Sequence, residues 1–199
     1  MAGNWINYIA PVAQLDRVTA YEAAGCWFDS SQAHDLLVVV RCRKKMLKVQ
    51  QYYMQEALQE ARQAFQEDEV PVGAVVVHQG KIIARGHNQV ERLKDPTAHA
   101  EIIAITSAAN YLGTKWLNQV SLYVTIEPCS MCAGALVLAR VKKIYFGACD
   151  PKTGACGSVV NIVNHKKLNH RIKVTKGILQ EECSSLLKNF FSRKRAKKV

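Results

Sequence analysis

A histidine, a glutamate and two cysteines are the residues of this chain best suited to chemistry. His99 and Glu101 stand two apart in Asp95-Pro-Thr-Ala-His-Ala-Glu101, and Cys129 and Cys132 stand three apart in Glu127-Pro-Cys-Ser-Met-Cys132. One imidazole and two thiols are three ligands of the softness that zinc takes. Four protein ligands usually close a structural site, whereas three leave a position open to water and hence to reaction. If a helix starts just before His99, the side chains of His99 and Glu101 lie roughly 200° apart around it. Glu101 is then badly placed to be a second ligand, but from the first turn of a helix it can reach the bound water as a base. Cysteines three apart in the first turn of another helix can both point at one ion. A lone Cys-x-x-Cys also reads as a redox pair or as half of a zinc ribbon. No second Cys-x-x-Cys completes a ribbon here.

The elements that must position these groups follow from periodicity. Met54, Leu58, Ala61 and Phe65 repeat at helical spacing, and Pro71 ends any helix before it. Val72 to Val77, a Gln79-Gly80 turn and Lys81 to Ala84 read as a hairpin. Gly73, inside the first strand, implies close approach by another group. Glu91 to Pro96 reads as a polar loop, and Asp95 or Thr97 is placed to cap a helix that bears His99 and Glu101 and stops near Gly113. Strand Leu122 to Ile126 delivers Pro128 and Cys129, and a helix runs from Cys129 to about Ala139. Lys143 to Gly147 and Arg171 to Thr175 read as the fourth and fifth strands, and an apolar stripe of Ile178, Cys183, Leu186, Leu187 and Phe190 marks a last helix.

Other residues are candidates for binding a substrate. Asn88, closing the second hairpin strand, can hydrogen-bond a sugar or base, although spacing alone makes it an ordinary turn residue. Ala100 and Pro128 adjoin the ligands. Asp150 and Lys152 belong to a glycine-containing loop, Cys149 to Gly157, that can wall a pocket. His165 and His170 lie in a second polar loop, where histidines can bind phosphate or a second metal; plain loop polarity suits His165 better. After Lys188 the chain reads Asn-Phe-Phe-Ser-Arg-Lys-Arg-Ala-Lys-Lys-Val, with Phe191, Arg193 and Arg195 placed as aromatic and basic contacts to bases and phosphates. A frayed, solvated tail is the plainer alternative.

With 199 residues and 49% hydrophobic content, the chain can bury one good core. No apolar run is long enough to span a membrane, and no basic start followed by an apolar stretch marks a secretory signal. Seven cysteines are an odd number, and the five outside the Cys-x-x-Cys are scattered without a framework pattern, which suits a reducing cytoplasm. The net charge of +11 sits mostly after Lys45, where 22 basic side chains face 12 acidic ones. A body this basic suits a polyanionic partner, nucleic acid first. Residues 1–45 show neither helical nor strand spacing and are expected to be an unstructured extension outside a domain spanning 46–199. Val12-Ala-Gln-Leu-Asp-Arg17 also resembles peptides that arise when a start codon is assigned too far upstream, inside a neighbouring tRNA gene. On that reading Met46 is the first residue; the rival is a real arm that helps bind RNA.

His-x-Glu followed by Pro-Cys-x-x-Cys is the signature of the zinc nucleobase deaminases. From about Gln50 to Lys194 the chain closely resembles the bacterial tRNA-specific adenosine deaminases. The matching stretches are Glu69 to Val75, Asp95 to Glu101, Tyr123 to Cys129, Met131 to Gly134, Phe146 to Asp150, Lys152 to Gly154, Asn169 to Arg171, and Phe190-Phe191. Cys149 stands where that family leads one to expect a basic residue. The resemblance implies a cytidine-deaminase-like α/β fold, with α/β/α layers around a five-stranded mixed sheet. It implies one zinc per chain on His99, Cys129 and Cys132, Glu101 as proton shuttle, and Asn88 and the Asp150 loop near a flipped nucleotide. It further implies adenosine-to-inosine conversion at the wobble position of a tRNA anticodon loop, and a homodimer. Two rivals are a deaminase of free guanine or cytosine, which has no need of a basic, aromatic tail, and a non-catalytic RNA-binding subunit with structural zinc, which has no need of Glu101.

Overall fold

The structure, a computed structural model, describes residues 36–197, with side chains from residue 43 onward. Most of the expected extension, residues 1–35, and Lys198 at the tail lie outside the described residues. By its internal contacts the chain divides into two units, Met1–Val49 and Gln50–Val199. The second unit carries the sheet and every candidate site residue. Helix α1 spans Leu36–Gln66, so the expected boundary before Met46 falls inside a continuous helix.

Five strands follow: β1 Gly73–His78, β2 Lys81–His87, β3 Val120–Ile126, β4 Lys143–Ala148 and β5 Lys173–Lys176. They form one sheet in the order β2-β1-β3-β4-β5. β1 is antiparallel to both neighbours, while β3, β4 and β5 run parallel. This is the expected five-stranded mixed sheet. The hairpin turn is Gln79-Gly80, where both residues have positive φ, 48° and 76°, as a turn that matches strand twist requires. β2 extends three residues beyond its expected end at Ala84, because its pairing with β1 continues to Gly73↔His87.

The strands alternate their side chains between two helical layers. On one face Ala74, Val76, Leu122, Val124, Ile144 and Phe146 pack with Ala100, Ala104 and Ala108 of α3 (Ala100–Leu112) and with Ala133 and Leu136 of α4 (Ser130–Leu138). The opposite face meets α1 and α5 (Gln180–Ala196). Tyr53 of α1 lies 5.1 Å from Tyr123, which stacks on Tyr145 at 4.4 Å. Gly73 has the close neighbour its sequence context implies, since a Cβ there would lie 2.1 Å from the Ala57 carbonyl oxygen of α1. A short helix, α2 (Val90–Leu93), occupies part of the expected Glu91–Pro96 loop. The buried Glu69 carboxylate accepts from the Arg92 amide at 2.8 Å and so supports that turn. No described helix is long and apolar enough to cross a membrane.

Candidate active site

β3 and β4 are parallel, so both deliver their chain to the same pole of the sheet, and β2, antiparallel to β1, ends there too. In open α/β sheets the pole beyond the carboxyl ends of parallel strands is where ligands bind. From β3 the chain passes through Glu127 and Pro128 into α4, whose N-cap is Cys129 with Cys132 one turn on. α3 reaches the same pole from the other direction, and His99 is its N-cap. The expected caps, Asp95 and Thr97, do not act on α3. Asp95 Oδ1 instead accepts from the Thr97 amide and hydroxyl, both at 2.7 Å, and closes the preceding loop on itself. The cap position goes to a residue whose side chain faces the thiols.

His99 Nδ1 lies 3.7 Å from Cys129 Sγ and 3.5 Å from Cys132 Sγ. One ligand atom from each of the three residues lies within 4.8 Å of the others, so the cluster can hold a metal ion. Two helix N-termini meet here, and their positive ends favour thiolate. A hydrogen bond with the Cys132 thiol, followed by the His99 ring, pulls the Cys129 thiol down to about 4. Its hydrogen bond to Cys129 and its own burial push the Cys132 thiol well above the ordinary range. The hydrogen bond to Cys129 outweighs burial at His99 and raises its imidazole. The cluster thus pairs one thiolate, Cys129, with the His99 ring, and Cys132 becomes a ligand on giving up its proton.

Glu101, in the first turn of α3, is 2% exposed, and burial raises its carboxyl above the ordinary range. Its Oε2 is buried without a hydrogen-bond partner among the described residues. A buried, unpartnered carboxylate oxygen beside a metal-binding cluster is placed to take up and release a proton.

The other candidates separate into three groups. Asn88, Ala100, Pro128 and Asp150 come to the same pole. Asn88 is buried just beyond β2, and its neighbour Gln89 donates its amide to the Ala98 carbonyl at 3.0 Å, beside His99. Ala100 and Pro128 are buried next to the ligands. Asp150 follows β4 in an exposed turn with Lys152. Burial opposes charge on Asp150, but hydrogen bonds from the Thr153 hydroxyl and the Lys152 and Thr153 amides overcome it and lower the pKa. His170 lies elsewhere: its Nε2 sits 2.8 Å from the Val141 carbonyl oxygen, before β4 begins and hence at the far pole, about 20 Å away for a strand of this length.

The basic tail is helical to Ala196 and partly tied down. Phe190 is 2% exposed against Phe65, whereas Phe191 is 46% exposed. The Arg193 guanidinium lies over the Phe65 ring at 4.4 Å and donates to Asp68 Oδ1 at 2.8 Å, so it is engaged with the body. Lys194 also reaches Asp68, at 2.7 Å. Arg195 is exposed and donates to Ser192. One further group was not singled out from the sequence. Glu127, 2% exposed, accepts four hydrogen bonds from the loop after β4. The available signal was a charged residue just after an apolar strand, directly before the Pro-Cys-x-x-Cys.

Comparison with known proteins agrees with this geometry. The MafB19-like deaminase family matches residues 49–195. The tRNA-specific adenosine deaminase of Bacillus subtilis is 49% identical over 146 residues, 73% of this chain and 91% of that protein. The protein of the same name from Aquifex aeolicus is 52% identical over 145 residues, 73% of this chain and 95% of its own length. A structure solved in work on A-to-I editing by tRNA:A34 deaminases at the wobble position of transfer RNA superposes with a TM-score of 0.67 at 45% identity, over 68% of this chain and 99% of that one. With a family model matched over residues 49–195 and about half of the aligned residues identical to these relatives, the chain belongs to the MafB19-like deaminase family, among the tRNA-specific adenosine deaminases.

Proposed function

We propose that the protein is a zinc-dependent hydrolase that converts adenosine to inosine at the wobble position of a tRNA anticodon. The observation that carries this reading is the unpartnered, buried Glu101 Oε2 beside a three-ligand cluster. The donor set fits zinc. A tetrahedral ion about 2.05 Å from nitrogen and 2.3 Å from sulfur holds the two about 3.6 Å apart. The His99-to-thiol distances are 3.5 and 3.7 Å.

Zinc, when bound, supplies a Lewis acid that lowers the pKa of its water from about 16 toward about 7. Glu101 takes a proton from the attacking water as the oxygen bonds to C6 of adenine, and delivers it to N1. It then takes the remaining proton from the hydroxyl now on C6 and gives it to the amine as the C6–N bond breaks, so the oxygen becomes the carbonyl of inosine and ammonia leaves. Burial keeps the Glu101 carboxyl ready to hold each proton between these transfers. Asn88, Ala100, Pro128, Asp150 and Lys152 surround the extruded nucleotide, and an unpaired anticodon loop spares the cost of opening a duplex. Phe191 and Arg195 contact the RNA outside the pocket.

The working assembly is a homodimer in the cytoplasm. Met131, Gly134, Ala135 and Leu138 share one face of α4, Leu138 is 77% exposed, and this apolar stripe adjoins the site. Residues 46–199 make up the catalytic domain, and a chain beginning at Met46 has the activity of the full chain.

The test offers purified protein an anticodon stem-loop with wobble adenosine, and separately free adenine, guanine and cytosine. Inosine forms in the stem-loop and no free base is turned over. Turnover of guanine or cytosine without inosine in RNA makes it a free-base deaminase instead. RNA binding without any turnover makes it a non-catalytic subunit.

A further inference from the structure

We propose that Glu127 is a positioning residue. Its buried carboxylate is the internal anion around which the 149–158 loop folds, and it fixes that loop to the strand end bearing Cys129. The inference rests on the deaminase reading above, because the loop carries Asp150 and Lys152.

Glu127 Oε1 accepts from the amides of Cys156 at 2.9 Å and Ser158 at 3.0 Å. Its Oε2 accepts from the Asp150 amide at 3.2 Å and from the Ser158 hydroxyl. Three of these four donors belong to the main chain, so the carboxylate fixes the path of the loop itself. A buried carboxylate is costly unless its lone pairs are filled, and here both oxygens are filled from one loop. A nest of main-chain amides around an anion normally marks a ligand site; in this protein the anion is a side chain.

The same loop is joined to the metal-binding segment. Gly154 pairs with Cys129 in an isolated β-bridge, and the Ala155 amide donates to the Pro128 carbonyl at 2.9 Å. The fit is close. A Cβ at Gly154 would lie 2.5 Å from the Asp150 carbonyl oxygen and 2.6 Å from Glu127 Cδ. Loop, carboxylate and Cys129 therefore move as one piece. The residue two before the first cysteine of the motif thus sets where Asp150 and Lys152 stand relative to the metal ligands.

Glu127→Gln keeps the volume and turns one acceptor oxygen into an NH2 group that faces two donors. Amide hydrogen exchange is followed at Asp150, Cys156 and Ser158 in the zinc-loaded full chain without RNA, and protection at these amides falls at least about tenfold. In turnover of the wobble-adenosine stem-loop, KM rises about tenfold or more while kcat stays within about threefold, the pattern of lost substrate positioning. Zinc stays at about one per chain, which separates the effect from damage to the metal site. Ser158→Ala, which removes one donor and leaves the carboxylate, gives a smaller rise in KM and adds nothing on top of Glu127→Gln, as coupled residues should behave. If Glu127→Gln does not fold, Ser158→Ala carries the test by exchange and KM. Unchanged protection in the variant that folds, or lost zinc with a collapsed kcat at unchanged KM, overturns the proposal. If the wild-type protein deaminates no stem-loop, the functional reading fails, while the exchange measurement still decides whether Glu127 anchors the loop.

Discussion

Gly86→Ala is a one-carbon change that reaches the site through the packing of α3. A Cβ at Gly86 would lie 2.7 Å from the Ala100 carbonyl oxygen and 2.9 Å from the Ala104 amide nitrogen. Both are backbone atoms of α3, so no side chain can swing aside and the helix must move. Restoring a contact of 3.4 Å needs about 0.7 Å of separation, and overpacking of this kind costs about 1–3 kcal/mol. For a unit of this size that lowers Tm by roughly 2–12 °C. The first residues of α3 follow His99 and include Glu101, and metal sites tolerate only about 0.2 Å of ligand displacement. A 1 Å misplacement at a reacting centre costs about 10²-fold, so kcat/KM for the stem-loop should fall about ten- to a hundredfold. Zinc affinity, measured by competition with a chromogenic chelator, should fall with it. Gly73→Ala is the control. Its Cβ would meet α1 at 2.1 and 2.3 Å, so it should lower Tm at least as far while zinc affinity stays within about twofold. If Gly86→Ala lowers Tm but retains zinc affinity and kcat/KM, then α3 packing does not set the site geometry.

Cys132→Ser removes a buried thiol from the cluster, and metal analysis should fall from about one zinc per chain to near none; full zinc in the variant excludes the site as described. The Asp68 anchor of α5 should depend on pH. The Lys194 hydrogen bond, first among its causes, holds the Asp68 carboxyl below its ordinary value of 3.8. A depressed carboxylate adds stability above that ordinary value and loses it as pH falls through the lower, folded-state value. The stability difference between wild type and Asp68→Asn should therefore be constant at neutral pH and vanish in strong acid; a difference that grows on acidification contradicts the ion pair. Arg195→Ala should flatten the salt dependence of tRNA binding by about 0.7–0.9 in log–log slope, the signature of one phosphate contact. An unchanged slope assigns that contact to other residues.

The reacting groups were readable because metal binding constrains spacing. Cysteines three apart and a histidine two before a glutamate place their side chains at helix starts, and the helices are there. The layered sheet was readable because β1 and β3, covered on both faces, are near-continuous apolar runs, and α1 repeats its apolar residues at helical spacing. The cap of α3 was misassigned because local capping rules favour Asp95 and Thr97, whereas the cap position is taken by His99. Arg193 reads as a free tail cation, but its partner Asp68 lies 125 residues earlier, a pairing that no local pattern announces. His170 reads from the sequence as a substrate contact, yet its contact is with Val141, at the pole away from the ligands. The role of Glu127 depends on three loop amides between Asp150 and Ser158, contacts that exist only once β3 and β4 lie side by side.

The central claim is that Glu101, beside a metal held by His99, Cys129 and Cys132, moves the protons of wobble-adenosine deamination. Its most direct test is the rate of inosine formation in an anticodon stem-loop by zinc-loaded wild type and Glu101→Gln, with zinc and stem-loop affinity measured on the same samples. The substitution keeps size and removes the base. The account predicts equal zinc, stem-loop affinity within a few-fold, and turnover lower by at least about 10²-fold, the usual scale of a general acid–base group. Equal turnover by the two proteins at equal zinc would contradict it.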